Sequence, residues 1–488
     1  MSSSNLVKNT TFFTAALTIQ KILSFVYFIL VARSIGVENT GKYSFALSFT
    51  TIFAMFLDFG LTQILIRESA RDIKNSQKYL ANVLGLKLLG SVIIYALVIV
   101  VINLMGYPEI TKQLVYVSGF VMLLDSFALS FYGILRGHQN LRFESYGVIL
   151  NQLIVLGAGL VIIKLQLGLV ILMGAYLLGS LFNFFYAALF LKIKLKILTI
   201  FRFDKKIIKE LFRLALPFAI AGFFIRIYSS MDIVLLSKLA NDKAVGLYSV
   251  AYKITFALQF VAVAFSASIY PAFCRYFVAS KELLSKTFAK SMYFLMLISL
   301  PISFGVIVLA DKFLPPIFGQ EYQGAILPLQ ILISSLVLVF LCFPIGAMLN
   351  ACDKQTRNTV HLGIIAVLNI ILNLILIPLY GYNGAAVAAL ISYVVLFALG
   401  IVVIEKIVKY DKKYLLISFA KITFSCLVMS LVVVWLKGYW SFVITAPLGA
   451  LVYLVTLVLV GGFSKKDIMQ TKSLLFKKEN AVSSDSNL

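Results

Sequence analysis

Residues 11–32 read TFFTAALTIQKILSFVYFILVA and carry a single charged side chain, Lys21. A helix needs about 20 mostly apolar residues to cross the hydrocarbon core of a bilayer. The stretch is longer than the apolar core of a cleavable signal peptide, and no small-residue cleavage site follows it. It therefore predicts a first membrane-spanning helix that remains in the protein.

Similar apolar segments recur along the whole chain. Its 488 residues are 61% hydrophobic and 13% charged, with a mean hydropathy of +0.99. Soluble domains carry about 25% charged residues. The sequence thus predicts an all-α polytopic membrane protein with about 14 transmembrane helices, which begin near Thr11, Tyr43, Val83, Leu114, Tyr146, Leu169, Leu214, Tyr248, Ser291, Ala325, Val360, Asn383, Leu415 and Tyr439.

The basic residues test this count, because cytoplasmic loops of membrane proteins are enriched in Lys and Arg. Of the 43 basic residues, 30 fall in the N-terminus, the even-numbered connections and the C-terminal tail, 8 in the odd-numbered connections and 5 within spans. This alternation predicts a multi-pass protein of the cytoplasmic membrane with both termini cytoplasmic. The net charge of +23 follows from that topology, so contacts with membrane lipids are expected and a nucleic-acid partner is not.

The longest basic connection divides the chain. It spans residues 192–213, and its end, residues 204–213, is predicted to form a short amphipathic helix at the membrane interface. The predicted organisation is an N-terminal six-helix lobe, this basic cytoplasmic linker, a C-terminal six-helix lobe, helices 13–14, and a cytoplasmic tail that is disordered near its end, at 1–191, 192–213, 214–404, 405–463 and 464–488.

A weak internal repeat supports two related halves. The sequence GKYSFA at 41–46 opens the second predicted span, and GLYSVA at 246–251 opens the eighth. The eighth span is the second span of the second half, so the two copies occupy equivalent positions. Repeated halves with a binding site at their interface are a recurring design of transporters.

Basic residues inside spans are candidates for substrate binding. Arg226 lies near the centre of the seventh span, Lys21 lies in the first and Lys253 in the eighth. A charge in the bilayer core is costly, so it faces protein or a water-filled cavity. The functional interpretation is a cationic cavity for an anionic substrate. The structural alternative is a set of ion pairs, or lysines that reach to the interface; that alternative is the one favoured for Lys87 and Lys421.

Three carboxylates also lie within predicted spans: Asp58, Asp125 and Asp232. Each could bind a coupling ion, H+ or Na+, or could neutralise a cation on a neighbouring helix. No other cofactor is expected.

Neutral polar residues form candidate cavity or helix contacts. Asn369 and Asn373 are four positions apart and share one helix face, and Ser230 extends the face of Arg226. Membrane asparagines usually bond neighbouring helices, so contact with a sugar is the second interpretation. The complete set is Gln20, Ser230, Asn151, Asn369 and Asn373.

Catalytic and metal chemistry find little support. The two histidines, His138 and His361, are far apart, and none of the four cysteines forms a CxxC pair. The sequence lacks a glycine-rich phosphate loop, and its predicted external loops are short. We therefore expect neither a metal site nor an enzyme.

Several stretches in a characteristic order resemble the polysaccharide-biosynthesis flippase family of the multidrug/oligosaccharidyl-lipid/polysaccharide exporter superfamily. The clearest is NIILNLILIPLYGYNGAAVAALIS at 369–392. Others lie in the first half, over the seventh and eighth spans, and after the tenth span, at Gly36, Gly41, Tyr43, Ser44, Asp58, Gly60, Arg67, Leu216, Pro217, Asp232, Gly246, Tyr248, Ala251, Tyr252, Lys253, Pro271, Asn350, Ala351 and Lys354. The resemblance covers about residues 10–400.

This resemblance implies two six-helix lobes packed as a V (MATE-like) around a central cavity, plus the C-terminal helix pair. It implies a flippase that moves lipid-linked oligosaccharides, sugars on a polyprenyl phosphate or pyrophosphate, across the cytoplasmic membrane by alternating access for cell-surface polysaccharide biosynthesis. Lys21, Arg226 and Lys253 would then contact phosphate. Polysaccharide polymerases and glycosyltransferases are candidate partners.

Three alternatives stay open at this point. A peptidoglycan-precursor lipid flippase also has fourteen helices and a cationic cavity. A cation-coupled multidrug exporter of the same superfamily usually has twelve, and the central Arg226 would repel cationic drugs. A membrane scaffold without transport activity would leave the in-span charges without a function.

Overall fold

The computed structural model describes the backbone of residues 3–462 and the side chains of residues 12–462, so the predicted tail at 464–488 lies outside the described residues. Within this part the chain is helical and contains no strand. The helices are α1 Ser3–Asp58, α2 Leu61–Arg71, α3 Ser76–Leu104, α4 Glu109–Gly137, α5 Leu141–Lys164, α6 Leu169–Phe190, α7 Lys205–Leu239, α8 Asp242–Leu258, α9 Phe260–Ala279, α10 Lys281–Phe318, α11 Ile326–Ser334, α12 Leu336–Ala351, α13 Gln355–Ile407, α14 Lys412–Leu436 and α15 Phe442–Leu459.

Twelve segments of the described chain are long and apolar enough to cross a membrane. Two of them, Phe12–Asp58 and Gln355–Ile407, have 47 and 53 residues, which is enough for two crossings each. Both contain a non-helical glycine, Gly36 (φ 79°) and Gly381 (φ 58°), in the positive-φ region that other residues avoid. The all-α polytopic prediction is confirmed, and about fourteen spans are compatible with these lengths.

The boundary between α5 and α6 lies in a long apolar run that is interrupted there only by Lys164 and Gln166. α5 ends at Lys164, and α6 begins at Leu169. Between them, Gln166 and Gly168 adopt positive φ values of 52° and 93°. This connection confirms the predicted break in a long apolar run.

The start of α7 differs from the prediction. The segment expected as a separate interfacial helix at 204–213 forms the first turns of α7, which continues to Leu239. The Asp204 carboxylate caps this helix by accepting a hydrogen bond from the Lys206 N–H (2.9 Å). Ile207 and Leu211, one turn apart, are buried in a protein core. The face that carries Ile207 and Leu211 therefore packs on protein.

The chain forms two compact units, and the first comprises residues 1–253, 317–325 and 366–388. One core of this unit joins side chains of α2, α3, α4 and α7, including Leu65, Leu84 and Leu135. The short turn at 320–325 packs on α1, because the Tyr322 hydroxyl donates to the carbonyl oxygen of Ala32 at 2.8 Å. The candidate functional site described below lies in this unit.

The second unit comprises residues 254–316, 326–365 and the chain from 389 onwards. It contains α14 and α15, in agreement with the expected C-terminal helix pair. Cys426, Met429 and Val433 recur at helical spacing on α14 and are buried. The Tyr453 hydroxyl of α15 donates to the carbonyl oxygen of Leu297 at 2.9 Å. The predicted division into lobes at 192–213 stays a prediction.

Candidate functional site

A cavity of about 580 Å³ lies within the first unit. Its wall is formed by the C-terminal part of α1, the middle of α4 and the middle of α7, with α2 closing one end. The lining residues are Leu47, Thr50, Thr51, Ala54, Met55, Asp58, Gly60, Gln63, Ser118, Val121, Met122, Asp125, Ser126, Leu129, Phe218, Ala219, Ala221, Gly222, Ile225 and Arg226. The cavity thus brings together three of the predicted site residues: Asp58, Asp125 and Arg226.

Helical periodicity explains how distant parts of the sequence reach one wall. On α1, residues 47, 51, 54 and 58 follow the spacing of a single helix face, and on α4 residues 118, 122, 125 and 129 do the same. Each helix presents hydroxyl and carboxylate groups among apolar side chains. The result is a polar strip inside a membrane-spanning unit.

Asp58 is the last residue of α1 and is paired with Lys87 of α3. The Lys87 side chain is fully buried, and its ammonium donates to Asp58 Oδ1 and to the carbonyl oxygen of Ser126, both at 2.8 Å. The Thr62 hydroxyl also donates to Asp58. Lys87 therefore compensates the charge of Asp58 from outside the cavity, and Asp58 itself lines the cavity.

Asp125 has a different environment. The Ser180 hydroxyl of α6 donates to Asp125 Oδ1 at 2.7 Å. No basic side chain of the described residues forms an ion pair with Asp125. An ionised carboxylate in a membrane interior requires compensation, so Asp125 is suited to hold a proton, a cation or a donor group of a ligand.

Arg226 is the cation of this cavity. It is exposed, and its guanidinium forms no ion pair with any residue that the structure describes. The Ser229 hydroxyl donates to the backbone carbonyl of Arg226 (3.1 Å) and does not contact its guanidinium. An arginine at the bilayer centre costs about 2.5–3.5 kcal/mol on insertion scales. An anionic ligand would offset this cost by accepting its N–H groups.

Lys21 and Lys253 do not line this cavity. The Lys253 ammonium lies 5.6 Å from the centroid of the Phe28 ring, in cation–π geometry. It is also close enough to Lys21 for their charges to interact. The structure therefore places the three predicted cations in two locations of the first unit.

Asp232 is the centre of a buried polar cluster. The Tyr248 hydroxyl donates to Asp232 Oδ2 at 2.8 Å, and the Asn373 amide donates to Asp232 Oδ1 at 2.7 Å. Asn373 also donates to the side-chain oxygen of Asn369 at 3.1 Å. The expected charge pairing is replaced by neutral donors within the described chain, and the Asn373 side-chain oxygen has no hydrogen-bond partner there.

The other predicted polar residues contact neighbouring helices. The Gln20 amide donates to the Gln152 side-chain oxygen at 3.4 Å, which links α1 to α5. Asn151 on α5 is half-buried, and its side-chain oxygen has no partner among the described groups. Ser230 is buried and does not line the cavity. No three His, Cys, Asp or Glu side chains in the described part of the chain could hold a metal ion together.

Sequence reasoning missed the hydroxyl and amide groups of the cavity wall. These are Thr50, Thr51, Gln63, Ser118 and Ser126. A signal was present for two of them, because Ser118 lies on the helix face of Asp125, and Thr51 lies on the face of Asp58. Ser180, the partner of Asp125, is 55 positions away and carried no such signal.

Comparisons with known proteins agree with the fold and with the resemblance. The family model "Polysaccharide biosynthesis protein" matches residues 6–277, and the model "MatE" matches residues 217–375. The probable low-salt glycan biosynthesis flippase Agl15 of Haloferax volcanii is 25% identical over 76% of this chain and 78% of its own length. The lipid II flippase MurJ of Bacillus subtilis is 23% identical over 94% of each chain.

Solved structures show the same architecture. A lipid II flippase MurJ in an inward closed conformation superposes with a TM-score of 0.77 at 17% identity, over 94% of this chain and 99% of that one. An inward-facing multidrug resistance MATE family transporter of the MOP superfamily gives a TM-score of 0.63 over 80% of this chain and 95% of that one. The family model covers more than half of the sequence, and this multi-pass membrane chain therefore belongs to the polysaccharide biosynthesis protein family.

Proposed function

We propose that the protein is a flippase that moves lipid-linked oligosaccharides across the cytoplasmic membrane by alternating access, for cell-surface polysaccharide biosynthesis. The observation that carries the proposal is Arg226, an exposed guanidinium in a polar membrane cavity without an acidic partner in the described chain. Membership of the polysaccharide biosynthesis family, and relatives that are themselves named flippases, support it.

In this proposal Arg226 binds the phosphate or pyrophosphate that joins the sugar to the polyprenyl chain. A guanidinium presents paired N–H donors that match phosphate oxygens. A hydrogen bond to a charged group contributes about 1.5–3 kcal/mol. That contribution is comparable to the cost of holding an arginine in the membrane, so the ligand and the residue stabilise each other.

The remaining wall is suited to sugar hydroxyls. Thr50, Thr51, Gln63 and Ser118 offer donors and acceptors, and the Asp125 carboxylate accepts strongly. The cavity volume of about 580 Å³ lies within the usual range of small-ligand sites, about 300–1,000 Å³. It suits a phosphate with its adjoining sugars. Lys21 and Lys253 remain proposed phosphate contacts outside this wall.

Ion coupling is proposed at the carboxylates that lack a basic partner. Asp125 and Asp232 meet only neutral donors among the described residues, whereas Asp58 already has Lys87. A buried carboxylate without a counter-charge favours uptake of a proton or a cation. The free side-chain oxygen of Asn373 adds a further acceptor beside Asp232. H+ or Na+ at Asp232 is therefore the favoured coupling site.

The second candidate is a peptidoglycan-precursor lipid flippase. It is favoured by the Bacillus subtilis relative, which aligns over 94% of both chains. A multidrug exporter is disfavoured, because Arg226 would repel a cationic drug from the cavity. We propose cytoplasmic termini from the distribution of basic residues, and polymerases or glycosyltransferases as partners of the pathway.

Complementation distinguishes these candidates. The protein is expressed in one bacterial strain that lacks its polysaccharide flippase and in another that is depleted of its peptidoglycan-precursor flippase. We expect surface polysaccharide to return in the first strain, and to be lost again with Arg226→Ala at equal expression. Rescue of growth in the second strain alone would support the peptidoglycan candidate. Rescue of neither strain would contradict the proposed function.

A further inference from the structure

A second recess, of about 430 Å³, lies in the second unit where α10 begins and α13 ends. It is distinct from the Arg226 cavity and shares no residue with it. Its lining is rich in lysine and consists of Lys281, Glu282, Ser285, Glu405, Lys406, Ile407, Val408 and Lys409.

The walls of the recess are held by contacts between the two helices. The Ser285 hydroxyl of α10 donates to the carbonyl oxygen of Lys409 at 2.7 Å. Beneath it, Val408 is buried in the core of the second unit, and the rings of Phe288 and Tyr410 meet edge to face at 5.3 Å. The backbone that carries the lysines is therefore fixed before any ligand binds.

The acidic residues of the recess already have partners. Glu282 pairs with Lys286 at 2.5 Å, and Glu405 pairs with Lys412 at 2.7 Å. Neither Lys286 nor Lys412 lines the recess, so each carboxylate is compensated without a lysine of the lining.

Three lysines keep their charge uncompensated. Lys281, Lys406 and Lys409 are exposed and form no ion pair with any described residue. They come from both helices and line the same small space. Like charges that line one recess repel one another, and an anion between them would relieve that repulsion.

The position of the recess identifies the source of the anion. It lies at the ends of two membrane-spanning helices, in connections that are predicted to be cytoplasmic from their basic residues. Lipid headgroups surround the ends of membrane-spanning helices, and the cytoplasmic leaflet carries anionic lipids. We propose that this recess binds the phosphate of an anionic phospholipid through Lys281, Lys406 and Lys409, a regulatory lipid separate from the transported one.

Such a lipid would connect three elements. Its phosphate would join the start of α10 to the end of α13, and the Glu405–Lys412 pair extends this connection to α14. The C-terminal helix pair would then be anchored more firmly in membranes that contain anionic lipid. The recess requires no transported substrate, so this inference does not depend on the proposed function.

The test uses the full-length purified protein and counts retained lipids by native mass spectrometry. Phosphatidylglycerol is compared with phosphatidylcholine for the wild type and for Lys281→Gln/Lys406→Gln/Lys409→Gln. The matched control is Lys205→Gln/Lys206→Gln/Lys209→Gln, which removes the same charge from exposed positions of α7. We expect the recess variant to lose at least one retained phosphatidylglycerol and the thermal stabilisation that this lipid gives, and the control to keep both.

Equal retention of phosphatidylglycerol by the recess variant and the wild type would overturn the proposal. A parallel stability measurement with a soluble phosphate compound identifies the source of the phosphate. If glycerol 3-phosphate stabilises the wild type as much as phosphatidylglycerol does, the lipid assignment is wrong. Circular dichroism and size-exclusion profiles of all three proteins establish that they are folded, and a single Lys406→Gln variant with partial loss of retention supports the site if the triple variant does not accumulate.

Discussion

The two copies of the Gly-x-Tyr-Ser sequence make the same backbone contact and surround it with different chemistry. A Cβ atom at Gly41 would lie 1.8 Å from the carbonyl oxygen of Asp242, and one at Gly246 would lie 2.0 Å from that of Val37. Each glycine thus meets the residue four positions before the other. The two helix starts therefore cross through two equivalent glycine–carbonyl contacts, and neither contact leaves room for a side chain.

The tyrosines of the two copies also occupy matching positions. The Tyr43 hydroxyl bonds that of Tyr27 at 3.0 Å, and the Tyr248 hydroxyl donates to Asp232 at 2.8 Å. Both partners lie 16 positions before their tyrosine. The first copy therefore has a neutral pair where the second has a carboxylate. The two copies share the backbone contact, and the carboxylate that we propose for ion coupling belongs to the second copy.

The basic residues Lys21 and Arg226 are separated by the same interval as the two copies of the repeat. Arg226 lies 205 positions after Lys21, as Gly246 lies after Gly41. Arg226 lines the polar cavity, and Lys21 does not. Lys21 and Arg226 thus have different surroundings although they are placed alike relative to the two repeats, and we expect them to contribute unequally to transport.

The largest effect is expected when a side chain is added at either glycine of this helix crossing. Gly41→Ala and Gly246→Ala would each drive a methyl group into a backbone carbonyl, and the backbone cannot give way as a flexible side chain can. Folded protein should be lost in both variants, as measured by fluorescence-detected size exclusion in detergent.

The matched control is Gly157→Ala, because an added Cβ at that glycine meets no atom within 4 Å. It should behave as the wild type. A stable, monodisperse Gly41→Ala protein would show that the two copies do not pack as the structure has them.

The next effect concerns the ion pair between Asp58 and Lys87, which lies in the first half of the chain. Lys87→Met leaves the Asp58 carboxylate without its cation and should lower the free energy of unfolding by about 3–5 kcal/mol. The double variant Asp58→Leu/Lys87→Met should be considerably more stable than Lys87→Met, since no uncompensated charge remains. Thermal unfolding of purified protein checks both, and equal losses in the single and double variants would contradict the pairing.

A smaller effect should distinguish Asp232, the partner of Tyr248, from Tyr27, the partner of Tyr43. Asp232→Asn should abolish the dependence of transport on the coupling ion, because it removes the carboxylate that we propose as the ion site. Tyr27→Phe removes the equivalent hydroxyl of the first copy and should leave that dependence unchanged. Transport in proteoliposomes is measured with and without a proton or sodium gradient. Retained ion dependence in Asp232→Asn would place the coupling site elsewhere.

The smallest effect is expected at Lys21. Lys21→Ala should lower the transport rate about two-fold, well below the effect at Arg226, because Lys21 lies outside the cavity wall. A tenfold loss, equal to that of Arg226→Ala, would indicate that both copies contribute a cation to the same substrate. Expression and thermal stability are measured alongside to separate folding from transport.

The architecture was largely predictable because hydropathy and charge act locally. The break after Lys164 follows from two polar residues in an apolar run, and the pair α14 and α15 follows from segment length. The start of α7 was not predictable in this way. The periodicity of Ile207 and Leu211 describes an amphipathic helix, and it does not say whether protein or the membrane surface covers the apolar face.

The candidate site was predictable in its residue types and much less in its pairings. A charged residue in a span stands out against an apolar background, so Asp58, Asp125 and Arg226 were found. Their partners depend on how helices pack. Lys87 is 29 positions from Asp58 and Ser180 is 55 from Asp125, and no local pattern connects either pair. For the same reason Lys21 and Arg226 were expected in one cavity, whereas the cavity described here is lined by Arg226 and not by Lys21.

The central claim is that Arg226 binds the phosphate of a lipid-linked oligosaccharide. The most direct test measures the flipping rate of a purified lipid-linked oligosaccharide in proteoliposomes for the wild type, Arg226→Lys and Arg226→Ala. A lost charge-assisted hydrogen bond of about 1.5–3 kcal/mol corresponds to roughly a 10- to 100-fold change. We predict at least a tenfold loss in Arg226→Ala, with partial activity in Arg226→Lys and unchanged thermal stability. A wild-type rate in Arg226→Ala would contradict the account.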